Sequence, residues 1–283
     1  MFEIDPLLLA VAFGGGVFGA AVGTLPAFIF CGFAVLAGVA AQASGGGSGL
    51  LDHVAFGPFL GPHIAFGGGV AATAYAARRG LLPSGRDVSL SLTGLERADV
   101  LLVGGLFGSL GALIEAGWGA LGWRDWTDTI ALTVVVTAVI ARVAFGQSGL
   151  FAARFAKGDD KWLAWQRRPD QLIVIGLGAG LPSAWAAIRL GENGGGLVGF
   201  GVAAASLLFL YTGAKMPVTH HIALPAAAAA LAFNSLLAGA VAGVVGAFLG
   251  ELAARLLLIG GDTHIDPPAA AIAPSILLIR WLS

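Results

Sequence analysis

Apolar residues run through this chain in ten stretches, each long enough to cross a membrane, and that repetition leaves few soluble architectures open. The hydrocarbon core of a bilayer takes about 20 helical residues, with a working range of about 17–25. The stretches lie at about 7–23, 24–43, 54–78, 98–122 and 129–147, then 171–190, 195–213, 216–233, 234–259 and 267–283. Only 11% of the 283 residues are charged, against about 25% in a soluble domain. So few charges cannot cover a water-facing surface of this size, so most of the outside faces lipid. The expected fold class is an all-α integral membrane protein, multi-pass in the cell membrane, with the lipid bilayer as its first partner.

The same composition excludes several functions. A net charge of −1 offers no basic face for a nucleic acid. The single cysteine, Cys31, excludes a disulfide framework, a cysteine-rich zinc site and an iron–sulfur cluster. There is no Walker loop, no G-x-S-x-G and no H-E-x-x-H. The GLGAG string at 176–180 lies inside an apolar run, with no strand before it and no ribose-binding acid after it, so it reads as helix packing. An enzyme is not expected, and no cofactor is implied. The start, MFEIDPLLLA, lacks the basic region of a secretory signal, so the first stretch is expected to be a retained span.

Across the polar stretch 148–170 the two sides of the chain match. HIAFGGGVAATAY at 63–75 aligns with HIALPAAAAALAF at 221–233, 158 positions on, and Asp128 and Arg142 align with Asp266 and Arg280, both 138 positions on. Between them Gly104, Gly108 and Gly111 share their spacing with Gly239, Gly243 and Gly246, and GFAV at 32–35 resembles GFGV at 199–202. The expected domains are therefore a first five-helix repeat (1–147), a cytoplasmic linker (148–170) and a second five-helix repeat (171–283). Five is an odd number, so the second repeat enters from the opposite side, giving inverted topology. The third and eighth segments carry Pro58, Pro62, Pro217 and Pro225 and are expected to be broken or re-entrant. Irregular backbone at membrane depth survives only where protein or a hydrated cavity shelters it.

Orientation follows from basic residues in short loops. Arg78, Arg79, Arg86 and Arg97 cluster in one loop, and Arg154, Lys157, Lys161, Arg167 and Arg168 in the linker. With ten spans both face the cytoplasm. Both termini, with Glu3 and Asp5, then lie outside, as does the loop with Asp125 and Asp128. Trp118, Trp123 and Trp126 on one side, and Trp162 and Trp165 on the other, suit interfacial belts.

Few residues are suited to chemistry. Gly239, Gly243, Gly246 and Gly250 line one helix face and are expected to form a close seam between the ninth span and the fourth. His63 and His221 are repeat equivalents, and His220 adds a second imidazole; beside prolines they are candidates to line a solute path, pass protons or satisfy freed carbonyls. Glu115 and Glu251 lie deep in spans, where a charge costs about 3 kcal/mol, which makes them candidate proton or cation sites unless they simply snorkel. Asp128 and Asp266 read first as helix caps, and Arg142 and Arg280 as structural residues that snorkel to the interface. Lys215, before the broken eighth segment, is a candidate gate. His264 with Asp266 supplies two metal ligands, too few to define a site, so any metal is left unknown. The segment THIDPPAAAIAP at 263–274 resembles the His-Pro-Pro signature of the HPP membrane family, but Ile265 and Asp266 interrupt it, and nothing is carried over.

The expected function is a transporter or channel moving a small solute, a proton or a cation along a path between the repeats. The alternative is a non-transporting scaffold or subunit of a larger membrane complex. Glycine-lined outer faces also admit a homo-oligomer.

Overall fold

The computed structural model describes residues 5–151, 163 and 165–283. The expectations for Glu3, Arg154, Lys157, Lys161 and Trp162 lie outside the described residues. Every α-helix and shorter helical turn among them belongs to one bundle, and no strand forms within the described residues. The first five helices are α1 (Pro6–Val22), α2 (Thr24–Ala43), α3 (Gly67–Arg78), α4 (Ala98–Ala120) and α5 (Thr129–Phe145). The second five are α6 (Pro169–Leu190), α7 (Gly195–Ser206), α8 (His220–Ala232), α9 (Leu236–Ala253) and α10 (Pro267–Leu282). Five apolar helices are long enough to cross a membrane: α2, α4, α6, α7 with its continuation to Thr212, and α9 with its continuation to Leu258. The apolar helices α1, α5, α8 and α10 are shorter.

Local chemistry sets the ends. Asp5, Asp128, Ser235 and Asp266 each accept a backbone N–H from the helix they open, the ordinary N-cap arrangement. Pro6, Pro169 and Pro267 stand where a missing N–H costs nothing. Gly23 takes φ +105°, so α1 turns into α2 without a loop.

The third and eighth segments are broken, though not at the same point. The third dips in as a π-turn (Leu51–Ala55), loses helical form, and resumes as a second π-turn (Pro62–Phe66) that runs into α3. In the eighth the break falls ahead of the helix, over 213–219, while Pro225 sits inside α8. Pro225 has no N–H for the His221 carbonyl, the cost of a proline inside a helix. The non-helical run is tied down by the end of the linker. Gln166 both donates to Val218 O (2.8 Å) and accepts from Val218 N (2.8 Å), and Trp165 Nε1 donates to Met216 O (2.9 Å). These bonds answer the backbone groups that the missing helix leaves open.

Glycine seams hold each set of five together. Gly16 meets Gly104 and Gly108 across α1 and α4, and Gly243 meets Gly176 and Gly180 across α9 and α6. The seam expected between the ninth span and the fourth is therefore corrected: Gly239, Gly243, Gly246 and Gly250 face α6 and α8. The physical reason is that the bulk of α6 and α8 is lowest here, at Gly176, Gly180, Ala184 and Ala226, so backbones approach closely within the set.

The two sets meet along α2–α7 and α5–α10. Gly32 packs on Ala204 and Ala205, Gly201 on Val35 and Leu36, and Gln42 bonds Glu192 O, so α2 and α7 run antiparallel. Thr127, just before α5, donates to Ala273 O within α10, while Arg142 near the end of α5 grips Thr263 just before α10. These two helices are antiparallel as well. The arginine contacts are reciprocal: Arg142 bonds Thr263, Arg280 bonds Asp125, and both pairs of positions are 138 apart. Arg142 is 2% exposed, so its expected snorkelling is corrected; its guanidinium is used up on protein carbonyls instead. At the basic end, the 79–97 loop joins the strand-like run before α10 through Gly85 with Asp262 and His264. Burial pushes the nearby Asp262 carboxyl up, but bonds from the Ser148 hydroxyl and the Gln147 and Ser148 N–H groups hold it below the usual carboxylate range.

Candidate functional site

Where the two sets meet, the packing opens into a cavity of about 400 Å³, at the small end of ligand sites, which run to about 1,000 Å³. Both sets contribute to its walls. From the first come Phe28 of α2, Phe56 and Phe66 of the broken third segment, and the start of α5. From the second come Phe200 of α7, His220 and Leu224 of α8, and the start of α10. The surface is mostly aliphatic and aromatic. The ionisable side chains on it are Asp128, His220, His264 and Asp266, and no lysine or arginine lines it among the described residues.

Each polar group is there for a local reason. Asp128 and Asp266 cap α5 and α10, Oδ1 of Asp128 accepting from Ala131 N (2.8 Å) and Oδ2 of Asp266 from Ala269 N (2.9 Å). The other oxygen of Asp266 lies 3.3 Å from His264 Nε2. His264 is pinned by the bond from its N–H to Gly85 O and by the Phe66 ring at 5.8 Å. His220 opens α8 after the non-helical run, with its ring centre 4.8 Å from that of Phe28 and 6.0 Å from that of Phe200. It is 5% exposed, and its Nδ1 has no hydrogen-bond partner among the described residues. A buried donor or acceptor left unpaired costs about 1–3 kcal/mol, so His220 is held there by its surroundings rather than by bonds of its own.

The remaining candidates are placed apart from this cluster. His63 and His221 are buried behind the wall, each with Nδ1 unpaired, and their carbonyls lie against Gly111 and Gly246. Histidines matched across the two halves thus pack on glycines matched across them. Glu115 accepts from Thr129 (2.7 Å), Thr133 (3.3 Å) and Arg124 (3.1 Å), beside the cavity rather than in it. Glu251 is paired with Arg255 at 2.8 Å and Arg167 at 3.5 Å. Lys215 is exposed in the non-helical run. No group of three or more His, Cys, Asp or Glu side chains among the described residues is arranged to hold a metal.

Sequence reasoning missed the four phenylalanines and the Gln166–Trp165 bonds. One signal was present: Asp128 and Asp266, 138 positions apart, each open a repeat-equivalent helix. Comparison with known proteins adds one relationship. The model of a family of unknown function, DUF7973, matches residues 1–157 and again residues 149–283, and the chain belongs to that family. No curated protein and no solved structure matches the chain.

Proposed function

We propose that this member of the DUF7973 family is a membrane transporter or channel that moves a small solute or cation between two inverted five-helix repeats. The observation that carries the proposal is the cavity at the join, built from both sets of helices and carrying carboxylates and imidazoles on apolar walls. A scaffold has no use for ionisable groups around an internal space. Support for the inverted duplication comes from three sources. The family model matches twice, α5 and α10 are antiparallel, and the arginines near their ends make reciprocal contacts. In this reading the chain crosses the membrane ten times, with the basic loop and linker in the cytoplasm and both termini outside.

Two broken segments flank the cavity, the arrangement that lets irregular backbone exist at membrane depth. Glu115, beside the cavity, and Glu251, on α9, are the proton or cation sites of this reading, each carboxylate held by arginine. His221 packs behind His220, ring centres 5.9 Å apart, His63 lies in the turn that brings Pro62 and Phe66 to the wall, and Lys215 marks the approach along the 213–219 run.

Proteoliposomes loaded with a panel of small solutes test the proposal. Ala269 is 4% exposed and lines the cavity, so Ala269→Phe should fill it and lower flux at least about tenfold while the protein still unfolds at its normal temperature. In the same vesicles Glu115→Gln should reduce gradient-driven uptake and spare solute exchange. Undiminished flux in Ala269→Phe would remove the cavity from the path.

A further inference from the structure

The cavity wall carries two carboxylates and no lysine or arginine among the described residues. They belong to Asp128 and Asp266, and neither forms an ion pair with a lysine or arginine among the described residues. Both side chains are half-buried, and a carboxylate against apolar walls is costly unless something of opposite charge lies near it. Each aspartate draws on the N-terminus of the one helix it caps, so the helix ends bring no further positive charge to the space between them. His264 gives Asp266 one hydrogen bond and leaves Asp128 without a partner beyond its cap.

The rest of the wall suits a cation with a carbon body. Phe28, Phe56, Phe66 and Phe200 surround the space, and aromatic faces attract an ammonium through the ring quadrupole. His220 adds a buried imidazole on the cavity wall; its Nδ1 is sealed from the space, which leaves Nε2 as the nitrogen to face a ligand. A neutral imidazole nitrogen accepts an N–H that a protonated amine would bring. A bare metal ion fits less well, because no three-ligand group is present among the described residues and most of the wall offers carbon, not oxygen. An anion meets two carboxylates and no lysine or arginine among the described residues.

Resting on the transport reading above, we infer that the cavity is a binding site for a small monovalent organic cation, an alkylammonium or quaternary ammonium. Asp128 and Asp266 supply the counter-charge, the phenylalanines the apolar and cation–π contact, and His220 a hydrogen-bond acceptor.

The test is calorimetry on the full chain in phosphatidylglycerol nanodiscs, so that no lipid headgroup carries choline. The probes are choline and butylammonium, their uncharged counterparts 3,3-dimethylbutan-1-ol and pentan-1-ol, and the anion 3,3-dimethylbutanoate. Both cations should bind at least about tenfold more tightly than the neutral partners, with the anion weakest. Asp128→Asn and Asp266→Asn should each remove about tenfold, and asparagine keeps the helix cap, so folding is preserved. Phe200→Leu, which keeps both carboxylates, should weaken choline several-fold more than its neutral counterpart 3,3-dimethylbutan-1-ol. Equal affinity for charged and neutral probes, preference for the anion, or no binding by either cation would overturn the cation assignment. Cavity-dependent flux of any other solute in the Ala269→Phe comparison would then leave the transport reading standing. Loss of both results would end both.

Discussion

Alanine at Gly111 is expected to destabilise the protein by about 1–3 kcal/mol, the range for forcing extra volume into a tight core. A Cβ at this position would overlap the carbonyl oxygen of His63. That carbonyl has little room to retreat, since His63 belongs to the π-turn Pro62–Phe66, which is buried throughout. Helix propensity alone points the other way, because alanine is better than glycine in a helix by about 1 kcal/mol. Gly117 separates the two effects: it lies in the same helix with open space at its Cβ position. Gly117→Ala should therefore be neutral or slightly stabilising, while Gly111→Ala lowers the unfolding midpoint. Gly246, whose Cβ would come within 2.5 Å of His221 O, should behave like Gly111. Thermal or SDS unfolding of the four proteins reads the result. Equal effects at Gly111 and Gly117 would show that close backbone approach is not what glycine provides at Gly111.

The second large effect is at Arg142. Its Nε donates to Thr263 Oγ1 (2.9 Å), Nη2 to Thr263 O (2.5 Å), and Nη1 to Leu257 O (2.5 Å) and Leu150 O (3.1 Å). One buried guanidinium thus joins the end of α5, the end of the α9 continuation and the run before α10. Arg142→Met leaves several carbonyls without a donor, at about 1–3 kcal/mol for each buried one. We expect a loss of about 3 kcal/mol or more, enough to deplete the folded protein in membranes. Arg142→Lys should recover only part, because an ammonium cannot reproduce the fork of donors. The repeat equivalent, Arg280, makes the corresponding bonds to Arg124 O and Asp125 O but is exposed. Water replaces its bonds, and Arg280→Met should cost under about 1 kcal/mol. Unfolding midpoints of the three variants check this order, and a larger loss at Arg280 would refute it.

How much of this was legible in the sequence depends on what each residue has to contrast with. Charges are rare here, so every one stands out. Asp128, Asp266, Arg142 and Arg280 could be paired by spacing, and they reappear as two helix caps and two reciprocal clamps. Prolines marked both broken segments, because a ring without an N–H disrupts a helix anywhere past its first turn. The cavity walls were not legible. Phe200 on an internal wall and Phe209 on the outer surface are both apolar residues in apolar runs. In water one would be hidden and the other penalised; in lipid neither is, so hydrophobicity carries no inside–outside signal. All three histidines, His63, His220 and His221, stood out as candidates, but spacing could not say which of them lines the cavity. His63 and His221 match across the halves, but a residue's neighbour on a helix turns about 100° away from it, and it is His220 that reaches the cavity. Glu115 and Glu251 were visible as acids deep in apolar runs, and Arg255 lies four residues after Glu251, but their partners Arg124 and Arg167 sit in polar connections that no periodicity links to them.

Whether water reaches the join between the halves decides the account, and cysteine labelling measures it. With Cys31 replaced by alanine, single cysteines at Ala131 and Ala269 occupy repeat-equivalent positions on the cavity wall. A cysteine at Ala184, buried against Gly239 and away from the cavity, is the control. A water-soluble, membrane-impermeant thiol reagent applied to proteoliposomes should modify positions 131 and 269, spare 184, and stop flux as labelling proceeds. Positions 131 and 269 as unreactive as 184, in folded protein, would mean a sealed and dry join and would contradict a path between the repeats.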